Sequence, residues 1–310
     1  MTNIRRERFI WEFMRVGKIP AIYNNIHYDT NNYLNKDCLQ KNTSKVISTT
    51  LFPTFLTSTL ISEENYYLKK ISHVNFTGGG ISISYPETID SFLKKYLKTN
   101  TKKNLRRSIS RLEESVNITY SYYHGSITKD KFIFLLNTLR CLLKKRFHHK
   151  NMINHFLNEW DENTNNLFSL INNKKASLFV IYDYKNPISI SVNRHFENTI
   201  LFSECHGYNL DYSKFSLGHL DNYLLLKWCI QNKYSFLDLG NGVSDYKKKW
   251  CNTLYNFEYH IYYKKKSIIA KLIASAEIYK INVKNIIKKL KIDVYFKNNK
   301  QLIRKKNKSV

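Results

Sequence analysis

The chain has 310 residues, of which 43% are hydrophobic and 15% aromatic, so it is too apolar for a disordered protein and a packed core is expected. Nine Gly and four Pro exclude a collagen-like or low-complexity chain. Lys and Arg outnumber Asp and Glu by 50 to 24, which gives a net charge of +26. At about 150 residues per domain, the length suggests one large domain or two modest ones.

The positive charge is concentrated towards the C-terminal end of the chain. Residues 264–310 hold 15 Lys or Arg against two acidic residues, Glu277 and Asp293, and so carry +13 of the net +26. We predict a basic tail on a mildly basic body. A solvated extension ranks first among its roles, then contact with an anionic membrane surface, then binding of nucleic acid.

The sequence indicates neither a membrane span nor a zinc site. No apolar run reaches the roughly 20 residues that a spanning helix needs, and the N-terminus shows no apolar signal-peptide core. The cysteines form no CxxC pair, so reduced thiols in a cytoplasmic protein are expected, with membrane contact at most peripheral. They are Cys38, Cys141, Cys205, Cys229 and Cys251.

The first part of the chain mixes short apolar runs with Tyr, Asn and Thr, which is typical of a small mixed domain. A glycine run then precedes strand-like alternation at 81–85. Helical spacing of apolar residues predicts helices at 88–98 and 102–115, the second with a basic face, separated by a Thr-Asn-Thr breaker. Two long amphipathic helices, at 129–147 and 152–171, are expected to cover a sheet.

The next part of the chain has the clearest pattern. Three strand-like runs, a helix, a strand, a short helix and a last strand are predicted at 176–184, 188–196, 199–206, 216–228, 235–240, 243–250 and 257–263. Meandering strands followed by a βαβ crossover predict a mixed sheet with helices on both faces. A basic, partly amphipathic helix at 266–291 follows.

Four motifs in this order resemble a known family. They are KNLRR at 103–107, FSLGHL at 215–220, FLDLG at 236–240 and YKKKW at 246–250. Over about residues 82–264 the chain is similar to the CelD/BcsL-like acetyltransferases, which belong to the GNAT superfamily and are relatives of the Fem peptidyltransferases. The resemblance implies an α/β GNAT fold with a mixed, mostly antiparallel sheet flanked by helices, in two GNAT-like halves plus a basic helical tail.

The predicted domain organisation follows from this resemblance and from the basic segments. An N-terminal GNAT-like half is expected at 1–100 and a basic bridge helix at 101–115. The C-terminal GNAT acyltransferase domain would span 116–264. The basic helical tail would take up 265–310.

The helix start near Gly218 is the predicted donor site. Unpaired amides that open a helix carry partial positive charge, and a glycine there lets a phosphate approach the backbone. The resemblance implies that Ser216, Leu217, Gly218 and His219 bind the diphosphate of acyl-CoA. Lys247 would bind a phosphate or an acidic acceptor. The alternatives are a helix-start glycine with Ser216 as N-cap, and a surface lysine.

Four residues are predicted to carry the chemistry. A phenol with a pKa of about 10 can protonate a leaving thiolate, so Tyr246 is the candidate general acid, with a packed aromatic as the alternative. Asp238 would orient or deprotonate the acceptor amine, or else cap a loop. Glu204 and His206 share one face of a strand, and either could be the general base. The alternatives are a surface Glu and a buried His.

The predicted function is acyl-CoA-dependent N-acyl transfer, as the resemblance implies. Acetyl is the favoured acyl group, and an amine of a sugar or small metabolite is the favoured acceptor, with cell-surface polysaccharide synthesis as the setting. The co-substrate is acetyl-CoA or another acyl-CoA, and no metal is expected. One alternative is a Fem-like transferase that uses aminoacyl-tRNA, and acyl-carrier protein is a further candidate donor. Another alternative is a non-catalytic GNAT-fold module that binds nucleic acid or a membrane surface.

Overall fold

The computed structural model of the protein describes residues 4–35, 44–60, 64–85, 87–242 and 244–290. Helices flank a mixed, mostly antiparallel sheet, so the predicted α/β class is confirmed. Cys38 and the predicted tail beyond residue 290 lie outside the described residues.

The strands of the described residues are β1 Ile4–Arg8, β2 Tyr23–Tyr28, β3 Asn31–Leu34, β4 Val46–Pro53, β5 Thr57–Leu60, β6 Tyr66–Ser82, β7 Ile118–Tyr123, β8 Ala176–Asp183, β9 Asn186–Phe196, β10 Ile200–Tyr208, β11 Phe236–Asn241 and β12 Thr253–Lys264. The α-helices are α1 Ile89–Tyr96, α2 Thr99–Ser115, α3 Lys129–His149, α4 His155–Asn158, α5 Trp160–Thr164, α6 Leu167–Asn172, α7 Leu217–Gln231, α8 Asp245–Lys248 and α9 Ile268–Lys289. A π-helical segment spans Trp11–Val16, and a 3-10 helix spans Leu210–Phe215.

The chain divides into two compact units. The first consists of Met1–Gly78 with Tyr255–Val310, and the second of Gly79–Leu254. The units divide after residues 78 and 254, whereas the predicted domain boundaries lie at residues 100, 115 and 264. The bridge helix α2 belongs to the second unit because its Leu105 and Leu112 share a core with α7. Most of β12 and α9 return to the first unit, where they pack beside β4.

The second unit has its strands in the order β11-β10-β9-β8-β7. The strands β7 to β10 are antiparallel neighbours, and β10 runs parallel to β11. Successive side chains of a strand point to opposite faces. Leu178 and Val180 of β8 therefore join the core under α3 and α6, while Phe179 and Ile181 join the core under α1, α2 and α7. The prediction of helices on both faces is confirmed.

The first unit holds two sets of strands. β1 pairs in parallel with β4, β4 pairs antiparallel with β12, and β6 lies beside β12. A separate three-stranded sheet has the order β3-β2-β5. Phe9, Phe13, Tyr23 and Phe52 form a buried aromatic cluster. Helix α9 covers β4 and β12 and is an integral part of this unit rather than a solvated extension.

The structure corrects several predicted elements. The helix predicted at 152–171 is wrong, because the chain there forms the short helices α4, α5 and α6. Asparagine side chains compete with the helical backbone in this segment: Asn154 accepts from the Leu157 amide, and the Asn163 amide group donates to the Phe156 carbonyl at 3.0 Å. The Thr-Asn-Thr breaker opens α2 instead of preceding it.

None of the helices in the described ranges is both long enough and apolar enough to cross a membrane.

Candidate active site

A cavity of about 710 Å³ lies within the second unit. Its walls are the C-terminal parts of β10 and β11, the first turns of α7, the start of α8 and the C-terminal end of α3. Of the nine residues predicted for the site, eight line this cavity, and Asp238 is buried and is not part of the lining. The structure therefore brings the predicted donor and catalytic residues to one place.

The two parallel strands β10 and β11 separate at this cavity. Their register runs from Ile200 opposite Phe236 to Phe202 opposite Asp238. Beyond that pair both strands continue and both line the cavity, and β10 has an irregular register against β9 between Ser203 and Cys205. A bulge re-aims a strand's backbone and side chains. A cleft between neighbouring strands follows from this geometry.

Helix α7 begins at the cavity with a sharp backbone turn. Ser216 has φ 53° and ψ 44°, a left-handed conformation that non-glycine residues seldom adopt. Ser216 is the N-cap residue of α7, as the alternative has it, but within the described part of the chain its side chain makes no capping hydrogen bond to the helix. The Ser216 carbonyl accepts from the amides of His219 and Leu220 at 2.8 and 3.3 Å, so the amides of Leu217 and Gly218 are the ones left for water or a ligand.

Gly218 and Tyr246 contact each other closely at this helix start. The Tyr246 hydroxyl donates a short hydrogen bond to the Gly218 carbonyl oxygen. A Cβ atom on Gly218 would lie 3.1 Å from the Tyr246 oxygen, so a side chain here would press on the tyrosine. Burial, with the nearby Asp221 carboxyl adding to it, raises the pKa of Tyr246 well above its usual value. The phenol therefore stays protonated at neutral pH.

His219 is oriented by a neighbouring tryptophan. The Trp250 indole N–H donates to Nδ1 of His219 at 2.8 Å, which leaves the ring proton on Nε2. The ring of His219 also meets that of Tyr246 edge-on, with centroids 4.6 Å apart. Burial, and to a lesser degree Lys249, lowers the pKa of His219, which keeps the ring neutral.

Glu204 is held in an ion pair. Its Oε2 lies 2.7 Å from Nε of Arg194, and both side chains are almost fully buried. Arg194 also donates from Nη2 to the Asn163 carbonyl at 2.8 Å. One oxygen of this carboxylate is therefore already occupied by the guanidinium. The environment thus favours an anchoring role for Glu204 over that of a general base.

His206 is a neutral, hydrogen-bonded histidine. Its Nε2 lies 2.7 Å from the Ser189 hydroxyl, and its carbonyl oxygen accepts from Nη1 of Arg146 at 2.7 Å. Burial, with Arg146 adding to it, lowers the pKa of His206 to about 3. Such a ring is a weak proton acceptor at neutral pH. His206 is partly buried at the cavity wall, and its hydrogen bond to Ser189 gives it a structural partner, so it matches the buried-histidine alternative only in part.

Asp238 and Lys247 shape the turn that follows β11. Asp238 is buried, and its Oδ1 accepts from the Gly240 amide at 2.9 Å. Gly240 has φ +78°, a conformation that favours glycine. The Lys247 ammonium donates to the Asn241 carbonyl at 2.9 Å, and burial lowers its pKa against the opposing effect of Asp238. The Asp238 contact is that of the loop-cap alternative.

Asp221 lines the cavity and was not among the predicted site residues. It is 1% exposed and accepts from the Ser191 hydroxyl at 2.9 Å. Burial raises the pKa of Asp221 to about 7, although the bond from Ser191 and the charge of Arg146 both lower it. The sequence contains one indication that Asp221 is buried: it stands four residues after Leu217, on the apolar face of the helix.

Positive charge dominates the lining of the cavity. Arg146 places its guanidinium 4.4 Å from the Tyr208 ring centroid, and Lys150 and Lys247 also line the walls. The carboxyls of the lining are Glu204, which is paired with Arg194, and Asp221. This balance suits an anionic ligand. Among the described residues, no cluster of three or more His, Cys, Asp or Glu is placed to hold a metal ion.

Comparison with protein families identifies this part of the chain. Residues 99–248 match the family model described as Acetyltransferase (GNAT) domain, and this range contains every residue that lines the cavity. The chain thus carries a GNAT-type acyltransferase domain, and the predicted GNAT relationship is confirmed. The assignment to the CelD/BcsL-like subfamily stays a prediction. No match was found among curated proteins.

Solved structures show similar folds at low sequence identity. The structure of FemX is 11% identical, with a TM-score of 0.52 and coverage of 77% of each chain. L-PGS from Bacillus licheniformis is 13% identical over 79% of this chain and 80% of that one, with a TM-score of 0.45. The C-terminal domain of a putative lysylphosphatidylglycerol synthetase from Agrobacterium fabrum is 12% identical, covers 74% and 70%, and has a TM-score of 0.43. At such identity, the likeness to FemX concerns the fold alone.

Proposed function

We propose that the protein is an N-acyltransferase that moves an acyl group, most simply acetyl, from acyl-CoA to an amino group of a sugar or another small metabolite. The proposal rests on one observation, that two features of a GNAT donor site meet at a single cavity of the GNAT domain. The separated strands β10 and β11 and the first two amides of α7, those of Leu217 and Gly218, open onto the same basic cavity. On the basis of the CelD/BcsL-like resemblance, the proposed acceptor is an intermediate of cell-surface polysaccharide synthesis.

The first turn of α7 is the proposed site for the diphosphate of the donor. Helix-start amides and the helix dipole attract anions, and Gly218 leaves the backbone accessible. Lys247 and Arg146 add positive charge to the same cavity.

A cytoplasmic location is part of the proposal, since Cys141 and Cys229 carry free thiols as expected in a reducing compartment.

Acyl transfer would proceed by direct attack of the amine on the thioester carbonyl. A backbone amide of β10 at the separated strands polarises that carbonyl. Asp221 takes the proton that the amine loses as the C–N bond forms, because a carboxyl with a pKa of about 7 is half ionised at neutral pH. Tyr246 gives a proton to the sulfur as the C–S bond breaks. Asp221 replaces Glu204, His206 and Asp238 in the proposed role of base.

A second candidate keeps the fold and changes the donor. The fold is compatible with a Fem-like transferase, and the net charge of +26 suits the aminoacyl-tRNA that such an enzyme would use as its donor. The same cavity would then hold the aminoacyl ester.

Thermal-shift binding separates these donors, since a ligand that binds only the folded state raises the melting temperature. The proposal expects stabilisation by acetyl-CoA or a longer acyl-CoA, and release of free thiol when an amine acceptor is added. Stabilisation by aminoacyl-tRNA without any response to acyl-CoA would replace the first function with the second. Salt-sensitive polynucleotide binding without a response to either donor would favour the non-catalytic module.

A further inference from the structure

Helix α9 is docked with its small side chains inward. Ala270 and Ala274 are fully buried and, with Ile281, join Val46 and Ile261 in the core of the first unit. A surface helix ordinarily turns its large apolar residues to the core. Here two of the inward positions are alanines.

Directional contacts fix the rotation of α9 about its own axis. Arg6 donates from Nε and Nη2 to the carboxylate of Glu277 at 3.1 and 2.8 Å. About two helical turns further along α9, the Asn285 side chain donates to the Ser72 carbonyl at 2.9 Å. These polar contacts hold the opposite face of the helix outward.

That outward face carries large apolar side chains. The exposed fractions are 80% for Ile268, 66% for Leu272, 72% for Tyr279, 56% for Ile286 and 63% for Leu290. Their spacings of four and seven residues place all five on one stripe of the helix. A continuous apolar surface of this kind marks an interaction face.

The charge around the stripe has a single sign. Residues 264–290 contain eight lysines and one acidic residue, Glu277, which turns inward to Arg6. Residues 291–310 add seven Lys or Arg and one Asp. A second copy of this helix would bring like charges together, whereas an anionic surface complements them. Lysine stems can also lie along apolar surface while their ammonium groups reach phosphates.

We propose that α9 is a docking face for an anionic lipid surface, on which its apolar stripe enters the boundary between headgroups and acyl chains. The exposed lysines of α9 beside the stripe meet the lipid phosphates. This inference is independent of the acyl-transfer chemistry of the second unit.

Sedimentation of the full chain with lipid vesicles tests the proposal. Wild type is expected to pellet with vesicles of equal parts phosphatidylcholine and phosphatidylglycerol, and much less with phosphatidylcholine alone. Raising the salt from about 0.1 M to about 1 M shortens the Debye length from about 10 to about 3 Å and should release most of the protein. The double variant Leu272→Glu/Ile286→Glu should partition at least about tenfold less.

Two further variants serve as matched comparisons. Ile153→Glu changes an apolar residue that is 71% exposed in the second unit, and it should bind vesicles as wild type does. Lys271→Glu/Lys289→Glu keeps the apolar stripe and reverses exposed charges beside it, so it should lose the preference for phosphatidylglycerol. Circular dichroism reports whether each variant folds. If the Leu272→Glu/Ile286→Glu variant does not fold, the lysine double variant still tests the proposal.

Three results would overturn the proposal. One is equal binding of wild type to both kinds of vesicle, or to neither. Another is a folded Leu272→Glu/Ile286→Glu variant that binds as wild type does. The third is that wild type forms a dimer without lipid and does not bind vesicles, whereas the Leu272→Glu/Ile286→Glu variant is monomeric. That result would assign the stripe to a second copy of the chain.

Discussion

The substitution Asp221→Asn should stabilise the protein at alkaline pH while it removes activity. The Asp221 carboxyl has a reference pKa of 3.8 and a pKa of about 7 in the folded protein. The folded state therefore holds this proton more tightly than the unfolded state, and the contribution of Asp221 to stability falls as the pH rises from about 4 to about 7. At about 1.4 kcal/mol per tenfold change in proton affinity, the cost above pH 7 is at most about 4 kcal/mol.

Urea unfolding of wild type and Asp221→Asn at a series of pH values measures this effect. The asparagine is uncharged throughout, so the variant should gain stability relative to wild type between pH 4 and 8. His206, with its pKa lowered to about 3, contributes the opposite slope at acid pH. Because both proteins contain His206, its contribution cancels in the difference. Asp161→Asn, at an exposed position, serves as the control and should show no such trend.

Activity supplies the second half of this test. The rate of wild type should rise with pH through about 7, as Asp221 loses its proton and can act as a base. Asp221→Asn should be slower by about 10²- to 10⁴-fold and should lack this dependence. A stability difference that does not change with pH would refute the raised pKa. A variant with the wild-type rate and pH profile would refute the role of Asp221 as base.

Two other substitutions test neighbouring parts of the site. Tyr246→Phe should lower turnover by about 10²-fold or more while the affinity for acyl-CoA, measured by calorimetry, stays near that of wild type; an unchanged rate would contradict its role as acid. Arg194→Met should lower the free energy of unfolding by about 3–5 kcal/mol, because it leaves Glu204 buried without its partner, and Arg194→Met/Glu204→Met should recover most of that loss in urea unfolding. Equal losses in the single and double variants would show that the ion pair is not what stabilises this region.

Local patterns in the sequence were sufficient to predict the centre of the second unit. Apolar runs at 176–184, 188–196 and 199–206 correspond to β8, β9 and β10, and the helix after them to α7. These elements are buried on both faces or along one stripe, so hydropathy alone defines them. The four motifs then place the candidate site residues at the ends of these elements that line the cavity.

The missed features depend on long-range contacts. Strand β7 alternates Thr, Ser and Tyr, and its pairing with β8 supplies the order that its own composition does not. Helix α9 was predicted as partly amphipathic, yet the contacts of Glu277 and Asn285 turn its large apolar side chains outward. The raised pKa of Asp221 depends on burial by elements distant in sequence, so the pattern could indicate its face but not its proton affinity.

Calorimetry of acetyl-CoA and S-acetylpantetheine with wild type and Gly218→Val tests the central claim most directly, since the second ligand lacks the diphosphate. A valine side chain would press on Tyr246 and cover the first amides of α7, so acetyl-CoA should bind this variant at least about tenfold more weakly, which corresponds to about 1.4 kcal/mol. S-acetylpantetheine should bind both proteins weakly and equally. Acetyl-CoA binding that is unchanged in a folded Gly218→Val variant would contradict the claim that the donor's diphosphate docks at the start of α7.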